Sequence, residues 1–253
     1  MNKVDYSQIA PTYNERYKVS HLPGLTKFLT NLLIERRPFR ILETGCGTGH
    51  WLNIAKNFCP EIFGADASIE MLKESTKINR NLNHLCADAD NLPLRENYFD
   101  LIMCINSFHF YKQKNEFIKN AFRLLRSNGI FFIAELDPFH QAHDWYIYKY
   151  FPGTYEYDLE RYLPTNVQRD CFNSAGFTGI TETTLEHIHS EYIGEEVLND
   201  KFLQKDQASQ LAALSEQEYK EGINKIKIEL NNAGIPPIFE TNLFFTVVSG
   251  IKS

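Results

Sequence analysis

Phe39-Arg-Ile-Leu-Glu43-Thr-Gly45-Cys-Gly47-Thr-Gly49 runs an apolar segment straight into three alternating glycines. Residues 39–43 read as a short strand, and a helical pattern follows around residues 51–57. A strand that ends in glycines and opens a helix lets the backbone approach a ligand while the helix N-terminus points at it. The dinucleotide fingerprint needs its third glycine at position 50, where His50 stands, so the spacing here disfavours a nicotinamide cofactor.

Upstream, Tyr6, Ile9, Ala10, Tyr13 and Tyr17 recur every three or four residues. They predict an apolar-aromatic stripe on a short helix within residues 3–22, bent or started by Pro11. A second helix is predicted over 22–35. Downstream, strands are predicted over 62–66, 82–88, 98–105 and 130–135. Between them lie a helix over 69–79 capped by Ser68, a helix over 116–125 and a turn at Ser127-Asn-Gly. Five strand-helix alternations with continuous apolar strands predict an α/β fold. Its form is a doubly wound, mostly parallel, seven-stranded Rossmann-like sheet with helices on both faces. Such sheets bind ligands beyond the carboxyl ends of their strands.

Past Asp137 the rhythm breaks into an aromatic-rich insertion over 145–162. A helix over 165–175 stops at Gly176, residues 178–192 alternate as a strand, 198–234 are mostly helical and 242–248 close as a strand. The expected organisation is a single domain, 1–253. It has lid helices (1–38), a core (39–137), a cap insertion (138–165) and a C-terminal part (166–253) that holds a second cap insertion (195–238).

A net charge of −6 without a Lys/Arg cluster argues against nucleic acid. Five cysteines, Cys46, Cys59, Cys86, Cys104 and Cys171, contain no Cys-x-x-Cys pair, so neither a disulfide framework nor a thiolate metal site is expected. No apolar run approaches the ~20 residues of a membrane span, and the first residues lack the apolar stretch of a leader, so a cytoplasmic protein off the membrane is the expectation.

Asp66 ends the second strand, placed for a carboxylate to take two ribose hydroxyls. Asp88-Ala-Asp-Asn-Leu-Pro93 ends the third. With the glycine turn, these motifs resemble the class I S-adenosylmethionine-dependent methyltransferases, in particular the type 11 small-molecule group. Glu43-x-Gly-Cys-Gly-Thr-Gly is similar to that family's first motif, where Asp usually stands in place of Glu43. Gly64-Ala-Asp66-Ala-Ser-Ile-Glu-Met-Leu72 is similar to the second, and Asp88-Ala-x-x-Leu-Pro to the adenine motif. Tyr6-Ser-Gln-Ile-Ala-Pro-Thr-Tyr13 resembles a lid helix. The resemblance covers residues 5–135.

The resemblance implies S-adenosylmethionine as cofactor. Gly45, Gly47 and Gly49 would then contact its methionine part, Glu43 would face its ammonium, and Asp66 followed by Ala67 would hold the ribose. Asp88 with the Ala89 backbone would read the adenine, and Ile105 and Tyr13 would complete the lining. The cofactor carries no phosphate, so a loop without Lys or Arg suits it.

His109, where the family often has a His after strand four, either packs there or faces the substrate as a general base. Glu135 and Asp137 either cap a turn or meet a cationic substrate. His187 and His189 alternate on one strand face with no third ligand spaced to join them, so no metal is expected. The expected function is methyl transfer to O or N of a small molecule. The alternatives are a non-catalytic cofactor-binding subunit and a protein or tRNA methyltransferase. The aromatic insertion either encloses an apolar acceptor or builds only its own core. The oligomeric state is left open.

Overall fold

The computed structural model describes residues 9–11, 13, 14, 22–232 and 234–253. Tyr6 and Tyr17 of the predicted N-terminal stripe lie outside them. The strands in chain order are β1 (Arg40–Thr44), β2 (Glu61–Asp66), β3 (Asn83–Cys86), β4 (Phe99–Ile105), β5 (Leu125–Leu136), β6 (Asp144–Trp145), β7 (Phe177–Ile193) and β8 (Ile238–Lys252). The chain divides into two compact units. A core unit takes the described residues up to Leu136, Leu163–Glu186 and Phe245–Ser253; an inserted unit takes Asp137–Tyr162 and His187–Phe244.

In the core unit β1 lies between β2 and β4, parallel to both, with β3 outside β2 and β5 outside β4. The C-terminal part of β8 runs antiparallel to β5, from Ile130↔Ile251 to Leu136↔Phe245. β7 pairs with β8. Side-chain bonds Thr178–Ser253, Thr181–Ser249 and Thr184–Thr246 run in opposite directions along the two, so this pair is antiparallel as well. The core sheet thus has the seven expected strands, and β6 is an eighth, two-residue strand in the inserted unit. Strand order reverses between β1 and β4, which sets the ligand crevice at the carboxyl ends of these two.

The sheet is held by apolar burial on its flanking helices. Helix Pro23–Arg36 buries Leu25, Leu29 and Leu33, one residue per turn, and helix Lys114–Leu124 buries Phe117, Ile118, Ala121 and Leu124. Each buried Leu, Ile or Phe side chain contributes about 1.5–3 kcal/mol. Phe131 of β5 stacks on Phe172 of helix Thr165–Ala175 with ring centroids 5.0 Å apart. The predicted turn at 127–129 falls inside β5. Phe99↔Leu125 is followed by Leu101↔Ile130, so extra residues loop out of register, and Asn128 takes a left-handed φ of 64° to allow it.

The inserted unit buries Trp145, Tyr146, Ile147, Tyr150 and Phe151. The predicted helix over 198–234 is broken: it consists of short turns, a four-residue helix Ser209–Ala212 and then helix Glu216–Asn232. Asp200 is the reason at one break, because its carboxylate caps Phe202 N–H at 2.9 Å and restarts the chain. No helix among the described residues is long and apolar enough to cross a membrane.

Candidate functional site

Gly45, Gly47 and Gly49 all take positive φ, at 65°, 51° and 76°. Two of them are also spatially required. A Cβ on Gly45 would run into Ser107, and one on Gly49 into the Ser75 hydroxyl. Gly47 is different: the nearest atom to its missing Cβ is Tyr13 Cε1 at 3.8 Å. The structure therefore places the Tyr13 ring beside the glycine turn. Thr48 Oγ1 donates to Asn14 Oδ1 at 2.5 Å, a tie that no motif announced.

The turn is fastened to the second strand. Cys46 N–H donates to Ala65 O at 3.0 Å and Gly47 N–H to Asp66 Oδ2 at 2.8 Å, while Asp66 Oδ1 accepts Ser68 N–H at 2.8 Å. Asp66 thus uses one lone pair of each oxygen on backbone, and a carboxylate has further acceptor capacity. Asp88 is exposed and caps the turn Ala89–Asn91 through Asp90 N–H at 3.2 Å. Ala67 is exposed beside Asp66, and Ala89 is buried.

Glu43 ends β1 with 1% of its surface exposed, and its Oε2 is buried without a hydrogen-bond partner. Burial, then the neighbouring Asp66 charge, pushes its carboxyl well above the usual range, against a backbone hydrogen bond from Leu52. Burial likewise raises Asp66, opposed by its backbone N–H partners. Neither carboxylate pairs with a Lys or Arg among the described residues. Two desolvated acidic groups beside a backbone cradle resist ionisation on their own, and a cationic ligand placed against them favours their charged forms. An aminoacyl sulfonium fits that requirement; a dinucleotide pyrophosphate does not.

On the other side of the switch point, Ile105 is buried at the end of β4 and pairs with Ala134. Asn106 then takes a left-handed φ of 51° and turns the chain into Ser107, which donates to Thr44 O at 3.0 Å. His109 follows, 5% exposed, with its backbone N–H and its Nδ1 on the same Glu135 oxygen, at 3.1 and 3.0 Å. Gln168 reaches the other Glu135 oxygen from 3.4 Å. Glu135 thus holds a backbone N–H of the turn Phe108–Phe110 as well as the His109 ring, and Gln168 had no sequence signal because it lies 33 residues away on another element. Asp137 accepts Phe139 N–H at 3.1 Å, a turn contact and one of the two roles left open for it.

In the inserted unit the aromatic side chains are occupied by one another and by buried polar partners. Tyr146 OH donates to Asp200 at 2.7 Å, and Tyr148 OH to Asp158 at 2.9 Å; Phe151 stacks on Tyr219. These contacts supply the unit with a core of its own. His189 has Glu191 and Glu240 beside it, one donor atom of each of the three lying within 4.8 Å of the others; His187 is not part of that group. Glu191 follows two residues along the same strand, whereas Glu240 comes from the neighbouring strand β8, which sequence spacing does not place.

Residues 42–133 match a family described as a methyltransferase domain. The chain is 28% identical over 138 residues to a demethylmenaquinone methyltransferase of Thermotoga maritima, covering 53% of this chain and 60% of that one. It is 31% identical over 130 residues to a tRNA (carboxymethyluridine(34)-5-O)-methyltransferase of Saccharomyces cerevisiae, covering 49% and 43%. The first curated relatives are spanned over only 39% to 60% of their length. Among solved structures, a putative methyltransferase from an antibiotic biosynthesis pathway of Anabaena variabilis superposes with a TM-score of 0.68. It has 17% identity and covers 88% of this chain and 95% of that one, a likeness of fold.

Proposed function

We propose that this chain, whose residues 42–133 match a methyltransferase-domain family, is a class I S-adenosylmethionine-dependent methyltransferase that binds S-adenosylmethionine and methylates O or N of a small molecule. The observation that carries the reading is the buried, partnerless Glu43 Oε2 beside the glycine turn. When bound, the cofactor supplies an electrophilic methyl group on a sulfonium. Glu43 meets its cationic end, the Gly45–Gly49 backbone lies against its methionine part, Asp66 holds the ribose, and Asp88 with Ala89 takes the adenine. Ile105 and Tyr13 line the site.

The chain's own chemical step is a proton transfer. An O–H or N–H acceptor must lose a proton as it gains a methyl group, and His109, oriented by Glu135, receives it. Methyl transfer is an in-line displacement, so positioning and exclusion of water carry the rest. A buried His–carboxylate pair favours an enzyme over a non-catalytic cofactor-binding subunit, which needs no oriented base.

The acidic net charge and the lack of a basic cluster favour a small molecule over RNA. The named relatives divide on this point, one acting on demethylmenaquinone and one on tRNA. A screen of metabolites and bulk tRNA for S-adenosylhomocysteine release separates the readings. Release with a metabolite supports the proposal, and release only with tRNA replaces its substrate class. Release with neither, in the presence of tight cofactor binding, favours the regulatory subunit.

A further inference from the structure

We propose that His189, Glu191 and Glu240 of the inserted unit form a binding site for a divalent transition-metal ion, best matched by Zn2+, with Asn242 as its organiser. One donor atom from each of the three lies within 4.8 Å of the others, and all three side chains are exposed. The strand period explains the cluster: His187, His189 and Glu191 share one face of β7, and Glu240 and Asn242 share a face of the neighbouring β8.

Asn242 fixes the chemistry of this face. Its Nδ2 donates to Glu240 Oε1 at 2.5 Å, so its Oδ1 points the other way, where His187 Nε2 and His189 Nδ1 stand at 3.0 and 3.1 Å. An amide oxygen only accepts, so the two ring nitrogens facing it carry protons. In neutral His189 the lone pair is then on Nε2, which faces Glu191 Oε1 at 3.8 Å. A metal-binding imidazole needs this arrangement: one nitrogen donating to a carbonyl, the other turned to the metal. His187 stacks on Phe244 at 4.5 Å, nearly parallel, which steadies the second ring.

Zinc takes imidazole and carboxylate donors at about 2.0–2.2 Å, which sets tetrahedral donors roughly 3.4 Å apart. Glu191 already faces Nε2, whereas Glu240 Oε1 lies 4.0 Å from Nδ1 of the same ring, so metal binding requires the exposed Glu240 side chain to rotate toward Nε2. Two carboxylates balance the charge of the ion, water fills the fourth position, and the imidazole favours a transition metal over Mg2+ or Ca2+. The ion would also tie β7 to β8.

The site is independent of methyl transfer and is tested by titrating ZnCl2 into the tag-free full chain, wild type against His189→Ala and Asn242→Ala, followed by calorimetry and thermal melting. The expected result is one Zn2+ equivalent that His189→Ala abolishes and Asn242→Ala weakens about tenfold or more. Zinc should raise the melting temperature of the wild type, raise that of Asn242→Ala less and leave that of His189→Ala unchanged, with equal metal-free melting temperatures reporting intact folds. Identical isotherms for wild type and His189→Ala, or no Zn2+ uptake by the wild type, would overturn the site.

Discussion

One oxygen of Glu135 holds His109 twice, accepting its backbone N–H at 3.1 Å and facing its Nδ1 at 3.0 Å. An imidazole that donates from Nδ1 presents Nε2 as the basic nitrogen, so the carboxylate selects the tautomer a general base needs. His109→Ala is expected to lower turnover about 10²–10⁴-fold with cofactor affinity nearly unchanged. Glu135→Gln should lower turnover by a smaller factor, because the ring remains but loses its positioning charge. Steady-state rates and calorimetric affinities on the same preparations check both; an unaltered rate in His109→Ala removes it from the mechanism.

Glu43 gives a pH dependence whose sign is fixed by its burial. Its folded-state carboxyl titrates above the unfolded one, so between the two the folded chain binds the extra proton. The ligand-free protein therefore loses stability as pH rises from about 4.5 through the raised folded value. Glu43→Gln should flatten that slope and raise the melting temperature at pH 7 by at least about 2 °C, the shift given by ~1 kcal/mol in a chain of this size. Melting curves across pH 5–8 measure it, and an unchanged slope would remove the buried charge as its cause.

Gly222 lies within helix Glu216–Asn232, where alanine is ordinarily better by about 1 kcal/mol. Here a Cβ would enter the Phe151 ring. Overpacking of this kind costs about 1–3 kcal/mol and should win. Gly222→Ala is expected to lower the midpoint of chemical unfolding, and a rise would show that Phe151 yields freely.

Asp158 is 1% exposed and gathers Arg161 at 2.6 Å, Gln210 at 2.7 Å and Tyr148 OH at 2.9 Å. Removing one partner of a buried pair costs about 3–5 kcal/mol, because the other charge stays behind. Asp158→Ala should unfold the inserted unit well below the wild-type temperature, whereas Tyr148→Phe, which removes one neutral donor, should cost about 1 kcal/mol. Equal losses in the two variants would place the stability in the Tyr148 hydrogen bond alone.

The order Glu43, glycine turn, Asp66, Asp88 was readable in the sequence because each sits where a strand period gives way to a turn or helix. Gly45 and Gly49 were readable as glycines, but not what requires them: Ser107 and Ser75 approach from elements 62 and 26 residues away. The same distance hid Thr48–Asn14, Gln168–Glu135 and the pairing of His189 with Glu240. The rings over 145–162 were visible, yet their use depended on Asp158, Asp200 and Tyr219, whose positions no local pattern sets. β5 extends past its predicted limit because Asn128 absorbs the turn within the strand.

The most direct test is a calorimetric titration of S-adenosylmethionine into the wild type, Glu43→Gln and Gly47→Val, with NAD as the control ligand. A valine at Gly47 is strained by its left-handed φ and fills the space facing Tyr13. Stoichiometric binding of S-adenosylmethionine by the wild type, weakened about tenfold or more in both variants and with no heat from NAD, is the expected result. A wild-type protein that ignores S-adenosylmethionine and binds NAD, or variants that bind as tightly as the wild type, would contradict the assignment of this site.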